Sequence, residues 1–325
     1  MDEYLLEIRN LKKYYPSGKN QVKALDGVNL KVKPGELVSI VGESGCGKST
    51  LARCVIGLET RTEGEIWFHG EEISSYGKKQ MRPVRKQMQM VFQSPYAAFN
   101  PRQTLGAGLR EVGKFYGMKT GEIRDRISVL MSYIKMDEEL LSHYPHELSG
   151  GQLQRLAIAR ALMVKPELLI ADEPVSALDV SVQAQILNIL AEIREKENMA
   201  VLFISHDLAV VEHISDWVAV MYLGKTVEEG RKEDVFSQPF HPYTDALLAS
   251  RPREYPWQEK SSIMLKGELP NALNLPEGCR FWPRCLHSQA GLCDKCEPEW
   301  NQQENGHRAV CHLVETLGKT ERRVS

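Results

Sequence analysis

Three apolar runs interrupt an otherwise mixed chain: LVSIV (Leu37–Val41), LLIA (Leu168–Ala171) and AVLFI (Ala200–Ile204). Runs of four or five residues without alternation predict strands buried on both faces of a parallel sheet. Each run leads into a polar segment, and open α/β sheets bind ligands at the carboxyl ends of their strands. Between the second and third runs, SVQAQILNILAEIREKEN places Val182, Ile186, Ile189, Leu190 and Ile193 on one helical face. Strand, helix and strand make a βαβ crossover. The stretch to about Val32 has another character. Leu5, Ile8 and Leu11, then Ala24, Leu25, Val28, Leu30 and Val32, predict short alternating strands in an antiparallel layer. From Gln103 to Glu147 the pattern turns helical, as in GEIRDRISVLMSYIKM, and predicts an inserted helical lobe over about residues 95–165. After about Val235 the chain becomes rich in proline and aromatics, as in FSQPFHPYTDALLASRPREYPWQEK. A boundary there divides a main domain, 1–235, from a small cysteine-rich extension, 236–325. No internal repeat or low-complexity segment is visible.

Composition narrows the class. A chain of 325 residues holds one large or two modest domains. Its hydrophobic content of 42% and charged content of 26% are ordinary for a globular protein. A net charge of −2 gives no reason to expect broad nucleic-acid binding. No apolar run approaches the ~20 residues needed to span a bilayer. The start, MDEYLLEIRN, lacks the basic and apolar regions of a signal peptide. The expectation is a cytosolic protein with reduced cysteines, which argues against a disulfide framework.

The polar segments carry the chemistry. GESGCGKST (Gly42–Thr50) follows the first run and precedes LARCVIGL, so G-x-x-x-x-G-K-S stands in its strand–loop–helix context. Its glycines let backbone N–H groups form an anion nest, and the helix beginning near Lys48 adds the positive end of its dipole. Lys48 is expected to reach the β- and γ-phosphates, and the Ser49 hydroxyl to coordinate Mg²⁺. The second run ends on Asp172 and Glu173. An aspartate there can hold Mg²⁺ through water, and an adjacent glutamate can orient and polarise an attacking water. In LSGGQLQRLAIARAL (Leu148–Leu162), Ser149 suits a helix N-cap, while Gly150 and Gly151 leave the backbone bare. An exposed helix N-terminus is a second anion site, far in sequence from the first.

Together these stretches resemble the ATP-binding cassette (ABC) proteins, over about residues 4–235. The expected fold class is therefore α/β: a P-loop NTPase cassette with a mainly parallel sheet core, an N-terminal antiparallel β layer, the helical lobe and the extension. GESGCGKS matches Walker A, LLIADE matches Walker B and LSGGQ the signature. Gln93 in MVFQSP matches the Q-loop, Ser176, Ala177, Leu178 and Asp179 the D-loop, and His206 in ISHD the switch histidine. Tyr15 matches the aromatic that stacks on adenine, with Tyr14 beside it as a second register. The resemblance implies an ATPase in which Glu173, His206 and Lys48 are catalytic. ATP would lie on Tyr15, on Gly42, Glu43, Ser44, Gly45, Cys46, Gly47, Lys48, Ser49 and Thr50 of the loop, and on Gln93. Mg²⁺ would be held by Ser49, Gln93 and Asp172. It also implies a head-to-tail dimer, in which Leu148, Ser149, Gly150, Gly151 and Gln152 serve the partner's ATP.

The flanks resemble one branch. MQMVFQSPYAAFNPRQTLG, DEPVSALDVSVQAQILN and QPFHPYTDALLAS resemble the ATPases of oligopeptide, dipeptide and nickel importers, and the second (F-type) of their two paired ATPases. The implied machine has a second ATPase, expected to be a paralogue, two membrane permeases and an external substrate-binding protein. This chain would be its motor, peripheral on the cytoplasmic face of the membrane, with no nucleic-acid partner. A docking surface for the permeases is expected around Tyr96–Arg102. Di- or oligopeptides are the expected cargo; nickel or another small solute is the alternative. A soluble regulatory ATPase acting on nucleic acid or ribosomes is the rival of a different class. Such proteins carry two fused cassettes, a long coiled coil or a basic surface, none of which is seen here.

Five of seven cysteines fall between Cys279 and Cys311. Reduced cysteines acting as small hydrophobes are one reading, which the proline and charge around them oppose. A zinc site built on Cys293-x-x-Cys296, with His287 or His312, is a second, although the second C-x-x-C of a ribbon is missing. The third comes from the resemblance: GCRFWPRC, a third Cys and a later CH match a tail that holds a [4Fe–4S] cluster in some peptide-importer ATPases. That match selects Cys279, Cys285, Cys293 and Cys311, with Cys296 as a substitute.

Overall fold

The computed structural model describes residues 3–18, 20–176, 178–250, 270 and 272–314. Its strands are β1 (Leu6–Ser17), β2 (Asn20–Val32), β3 (Leu37–Val41), β4 (Glu63–Phe68), β5 (Glu71–Glu72), β6 (Met88–Val91), β7 (Leu168–Asp172), β8 (Ala200–Ser205), β9 (Trp217–Tyr222), β10 (Lys225–Arg231), β11 (Trp300–Gln302) and β12 (Arg308–Val310). Its helices are α1 (Lys48–Val55), α2 (Lys78–Gln87), α3 (Leu105–Phe115), α4 (Thr120–Tyr133), α5 (Gly150–Leu162), α6 (Val180–Glu197), α7 (Leu208–Ile214), α8 (Lys232–Ser237) and α9 (Pro242–Ala249).

The three apolar runs become β3, β7 and β8, every residue of which is buried. They lie in one sheet, ordered β11-β12-β10-β9-β3-β8-β7-β6. Pairing is parallel from β9 through β6 and antiparallel across β9, β10, β12 and β11. Alternate residues of the central strands feed opposite cores, as a pleat with a period of two requires. Leu169, Ala171, Val201 and Phe203 pack with Leu105, Leu109, Leu130, Leu153 and Leu156 of the helical lobe. Leu168, Ile170, Leu202 and Ile204 pack with Leu6, Ile8 and Leu11 of β1 and Leu51 of α1. The sheet is thus sandwiched, which explains why its strands show no polar face.

The N-terminal layer is a four-stranded antiparallel sheet, β2-β1-β4-β5. It is built on two long strands of 12 and 13 residues rather than the short strands expected. A bulge explains the difference. Between Ile8 and Leu11 the register shifts, and Asn10 takes φ +47° with its amide donating to Asn29 Oδ1 at 2.9 Å. The extra residue moves the buried positions from a spacing of two to three, so one strand reads as two pieces.

The extension is continuous with the main sheet. Strand β12 pairs with β10 through Glu228↔Ala309, and β11 pairs with β12. Tyr243 of α9 and Phe281 share a core with Val220, Tyr222 and Val227 of β9 and β10, and Val235 of α8 lies in that same core. Cys293 and Cys311 are buried, and Cys279 and Cys285 pack against the cluster holding Phe281. The expectation that the surrounding proline and charge keep these cysteines out of a core is therefore corrected: Phe281 with Tyr222 and Tyr243 covers Cys279 and Cys285, and Ala309, Leu313 and Val314 pack with Cys311. Among the described residues, no helix is long and apolar enough to cross a membrane.

Candidate active site

Four parallel strands end side by side, and each delivers one functional segment. From β3 comes the loop leading to Lys48; from β8, His206; from β7, Asp172 and Glu173; from β6, Gln93. Gly47 caps α1 with φ +111°, a left-handed conformation open to glycine. A Cβ there would stand 2.3 Å from the Ala24 carbonyl oxygen, so the loop also passes too close to β2 for a side chain. Lys48 is 4% exposed, and its Nζ donates to the carbonyls of Gly42 at 2.7 Å and Glu43 at 3.0 Å. An ammonium inside a glycine loop at a helix N-terminus suits a polyphosphate.

Ser49 Oγ donates to Asp172 Oδ1 at 2.9 Å. Burial raises the Asp172 carboxyl above its ordinary range. A hydroxyl and a carboxyl held together beneath a phosphate loop are oxygen donors of the kind Mg²⁺ takes, so the residues fit that ion. Glu173 takes φ +48° where β7 ends, with its amide donating to Ile204 O at 3.0 Å. Its Oε2 accepts from Gln93 Nε2 at 3.0 Å, and its Oε1 lies 3.2 Å from His206 Nδ1. Strain at an active-site position is a known cost of aiming a side chain. Here it turns the carboxyl into the gap between the neighbouring strand ends. Gln93 therefore stands on Glu173, not on the Ser49–Asp172 pair.

The two tyrosines separate by role. Tyr14 donates its hydroxyl to the Asp26 carboxyl, whereas Tyr15 contacts the hydroxyl of Thr50, beside the loop. Lys13 Nζ lies 4.7 Å from the Tyr15 ring centroid.

The signature forms the start of α5. Ser149 Oγ accepts from Gln152 N at 3.3 Å, and Gln152 Oε1 accepts from Ser149 N at 3.0 Å, a reciprocal capping box. Ser149 and Gly150 are exposed, Leu148 and Gly151 buried. The D-loop follows Glu173 directly. Ser176 Oγ donates to Glu173 O at 3.2 Å, and Asp179 caps α6. Ala177 lies outside the described residues. Gln183, which no motif singles out, donates from Nε2 to Val175 O and Leu178 O at 3.1 and 2.9 Å and so braces this loop. A side-chain amide one turn into a helix is too common to carry a sequence signal.

Two contacts from the extension also reach the site. Tyr243 and Arg284 both bind Glu43. HPYT marked the segment but gave no sign of this role: His241 caps α9, Pro242 begins it, and Tyr243 points at the loop.

In the cysteine tail, burial pushes the thiols of Cys279 and Cys311 up to about 11 and about 12, with smaller contributions from neighbouring thiols. Those neighbours include Cys279, Cys285 and Cys293 around Cys311. Cys296 is exposed, and His312 Nε2 lies on the Cys296 carbonyl oxygen at 2.9 Å. Among the described residues, no three or more His, Cys, Asp or Glu side chains stand at the spacing of metal ligands.

Comparison with known proteins places this geometry. A family model described as ABC transporter matches residues 25–176. A second, described as the C-terminal region of oligopeptide/dipeptide transporters, matches residues 227–293. The oligopeptide transport ATP-binding protein AppF of Bacillus subtilis is 48% identical, covering 96% of this chain and 98% of that protein. The dipeptide transport ATP-binding protein DppF of Escherichia coli is 42% identical, covering 97% and 96%. Among solved structures, a dimeric ATP-binding cassette in a post-hydrolysis state bound to ADP and Pi is 30% identical, with a TM-score of 0.65. It covers 70% of this chain, and this chain covers 98% of it. The likeness extends from the phosphate loop through the extension, and the chain belongs to the ABC transporter ATPases, in the group that carries the oligopeptide/dipeptide C-terminal region.

Proposed function

We propose that this chain is the ATP-hydrolysing motor of a membrane importer for di- or oligopeptides. The observation that carries this reading is Glu173, held between Gln93 and His206 beside a phosphate loop whose Ser49 is joined to Asp172. Tyr15 stacks the base, and Gly42 through Thr50 bind the phosphates, with Lys48 as their buried cation. Glu173 takes a proton from the attacking water, and His206 fixes water and γ-phosphate relative to Glu173. Ser49 and Asp172 would hold Mg²⁺, which neutralises phosphate charge, and Gln93 closes the site from the helical-lobe side. The exposed N-terminus of α5, with Ser149 and Gly150 bare, then serves an ATP carried by a second cassette. We take that partner to be a paralogue in a head-to-tail dimer, with Ser176–Asp179 at its interface. Residues 1–235 act as the cassette and residues 236–325 as its extension.

The experiment is Glu173→Gln. Loss of the general base is expected to lower turnover by at least about 100-fold while ATP binding persists and closed dimers accumulate. Normal hydrolysis by that variant would overturn the assignment. The cargo rests on the curated relatives, whose names specify peptide transport. The chain is expected to sit at the cytoplasmic face, against two permeases fed by an external binding protein. Tyr96, 53% exposed in a 3-10 turn after Gln93, is the residue best placed for that contact, whereas Phe99 is buried in the lobe core. Pull-down of both permeases and uptake of labelled dipeptide, each lost on Tyr96→Asp, tests this.

For the tail we favour the [4Fe–4S] reading, with Cys279, Cys285, Cys293 and Cys311 as ligands. It rests on the resemblance of GCRFWPRC and the later CH, and the exposure of Cys296 agrees with a place outside the ligand set, although the four thiols do not stand at metal-ligand spacing in this structure. Iron and sulfide analysis after anaerobic purification is expected to show four of each per chain. Loss is expected for each of those four Cys→Ser variants but not for Cys296→Ser. Iron-free protein would return the segment to zinc or free thiols.

A further inference from the structure

Among the described residues, the extension grips the phosphate loop at Glu43. Residues 279–285 form a tight turn: Trp282 N donates to Cys279 O at 3.0 Å, Arg284 N to Phe281 O at 3.0 Å and Cys285 N to Trp282 O at 3.2 Å. From this turn the Arg284 guanidinium reaches across the chain to Glu43. Nη1 donates to Oε2 at 2.7 Å and Nη2 to Oε1 at 3.0 Å, a two-pronged pair. The Arg284 side chain is 6% exposed and that of Glu43 25%. Tyr222 adds a ring 5.9 Å from the guanidinium, and the bond to Glu43 raises the arginine further above its ordinary value. The backbone of Glu43 is held as well, its amide donating to Tyr243 Oη at 2.9 Å. The Glu43 carbonyl in turn accepts from Lys48 Nζ at 3.0 Å. A continuous chain of contacts therefore runs from the extension to the ammonium that meets the phosphates.

A second clamp lies beneath it. Arg280 donates to Leu223 O and to the carboxyl of Asp26, which also receives the Tyr14 hydroxyl. Asp26 is on β2, two residues from the Ala24 carbonyl that Gly47 nearly touches. Both arginines of the turn thus bear on the loop, one directly and one through its floor.

We propose that Arg284 is a positioning residue for ATP. Together with Tyr243 it holds Glu43, and with it the glycine loop, in the conformation that the phosphates require. It also neutralises a carboxyl next to the place where a polyanion must bind. A glycine-rich loop loses much conformational entropy when ordered, so a loop fixed in advance binds its ligand more tightly. The extension is on this account a brace of the nucleotide site. The proposal rests on reading Gly42–Thr50 as the ATP loop.

The test uses the full-length chain, MgATP titration and hydrogen exchange without nucleotide. Arg284→Gln is expected to weaken MgATP binding by about tenfold, the size of one lost charge-assisted bond. The rate at saturating ATP should move far less, because the residue acts before chemistry. Amides of residues 42–47 should exchange faster while those of β8 do not. Arg284→Lys should recover part of the affinity, and Glu43→Gln in the Arg284→Gln background should cost less than it does alone. Unchanged affinity and exchange in folded Arg284→Gln would overturn the brace. Should that variant fail to fold, Glu43→Gln alone tests the same contact from the loop side: faster exchange at 42–47 supports it, unchanged exchange overturns it. Lys48→Ala separates the two readings. If it abolishes MgATP binding and Arg284→Gln does not alter it, only the brace fails; if neither alters it, the ATP loop itself is misassigned.

Discussion

His241 is 2% exposed, and its Nδ1 accepts the Tyr243 amide at 3.0 Å. Burial lowers its pKa from the ordinary 6.5 to about 3. The folded state therefore keeps this ring neutral over a range in which the unfolded chain protonates it. The contribution to stability is complete above about pH 6.5 and is lost progressively as pH falls towards 3, at about 1.4 kcal/mol per unit. Between pH 6.5 and 5 this amounts to about 2 kcal/mol. Asparagine at 241 can also cap α9 but does not titrate. Urea denaturation across pH 4–7 should therefore show a flatter stability profile for His241→Asn than for the parent. Glu229, whose carboxyl burial raises, acts with the opposite sign, but it is present in both proteins and leaves the difference untouched. Parallel profiles would show that this ring is not the titrating group. The sequence revealed His241 only as part of HPYT. Lys48, Asp172 and Glu173 were legible because backbone geometry fixes their neighbours in sequence. Arg284 and Tyr243 were not, since their partner Glu43 lies 241 and 200 positions away.

At the next scale, α5 and α6 meet through a glycine. A Cβ on Gly151 would stand 2.5 Å from Val182 Cγ1, and a β-branched side chain near the start of a helix has little freedom to yield. Gly151→Ala should cost about 1–3 kcal/mol by overpacking. Val182→Ala should restore most of that loss, since the obstructing methyl is gone. Thermal unfolding of the two single variants and the double variant decides it; an additive double variant would mean that the two helices do not meet here. Val182 was visible as an apolar position on the α6 face, but the glycine opposite it was legible only as bare backbone at a helix start. The same limit applied to β1, where the bulge at Asn10 broke one strand into two apparent pieces. The parallel strands β3, β7 and β8, by contrast, were found with nearly correct bounds, whereas β6 and β9, which also pair in parallel, were not. Burial on both faces removes polar residues from a run, and the ends of such runs are abrupt.

For the molecule as a whole, the decisive side chain is Glu228, which is fully buried in β10. Its carboxyl accepts the amides of Phe240 at 2.7 Å and His241 at 2.9 Å, and Oε1 lies 2.7 Å from His307 Nε2. One group thus ties the last strand of the cassette, the segment entering α9, and the loop entering β12. His307 also stacks on Phe240 with ring centroids 4.0 Å apart, and Arg308 pairs with Glu229, so β12 is held at its start by several bonds. Glu228→Gln keeps the shape but turns one acceptor into a donor facing donors. A mismatched buried bond of this kind costs about 1–3 kcal/mol. That cost falls on the contacts of the extension, because the β3, β7 and β8 core makes no use of this carboxyl. Hydrogen exchange should therefore accelerate at Arg308 and Ala309, which pair with β10, while Val201–Ile204 in β8 keep the protection of the parent. Uniform acceleration would mean that the cassette and its extension unfold as one unit. No acceleration would mean that the β10–β12 ladder alone holds the edge. The selective outcome would also loosen the segment that carries Arg284, so MgATP affinity should fall in the same variant without any substitution near the phosphate loop.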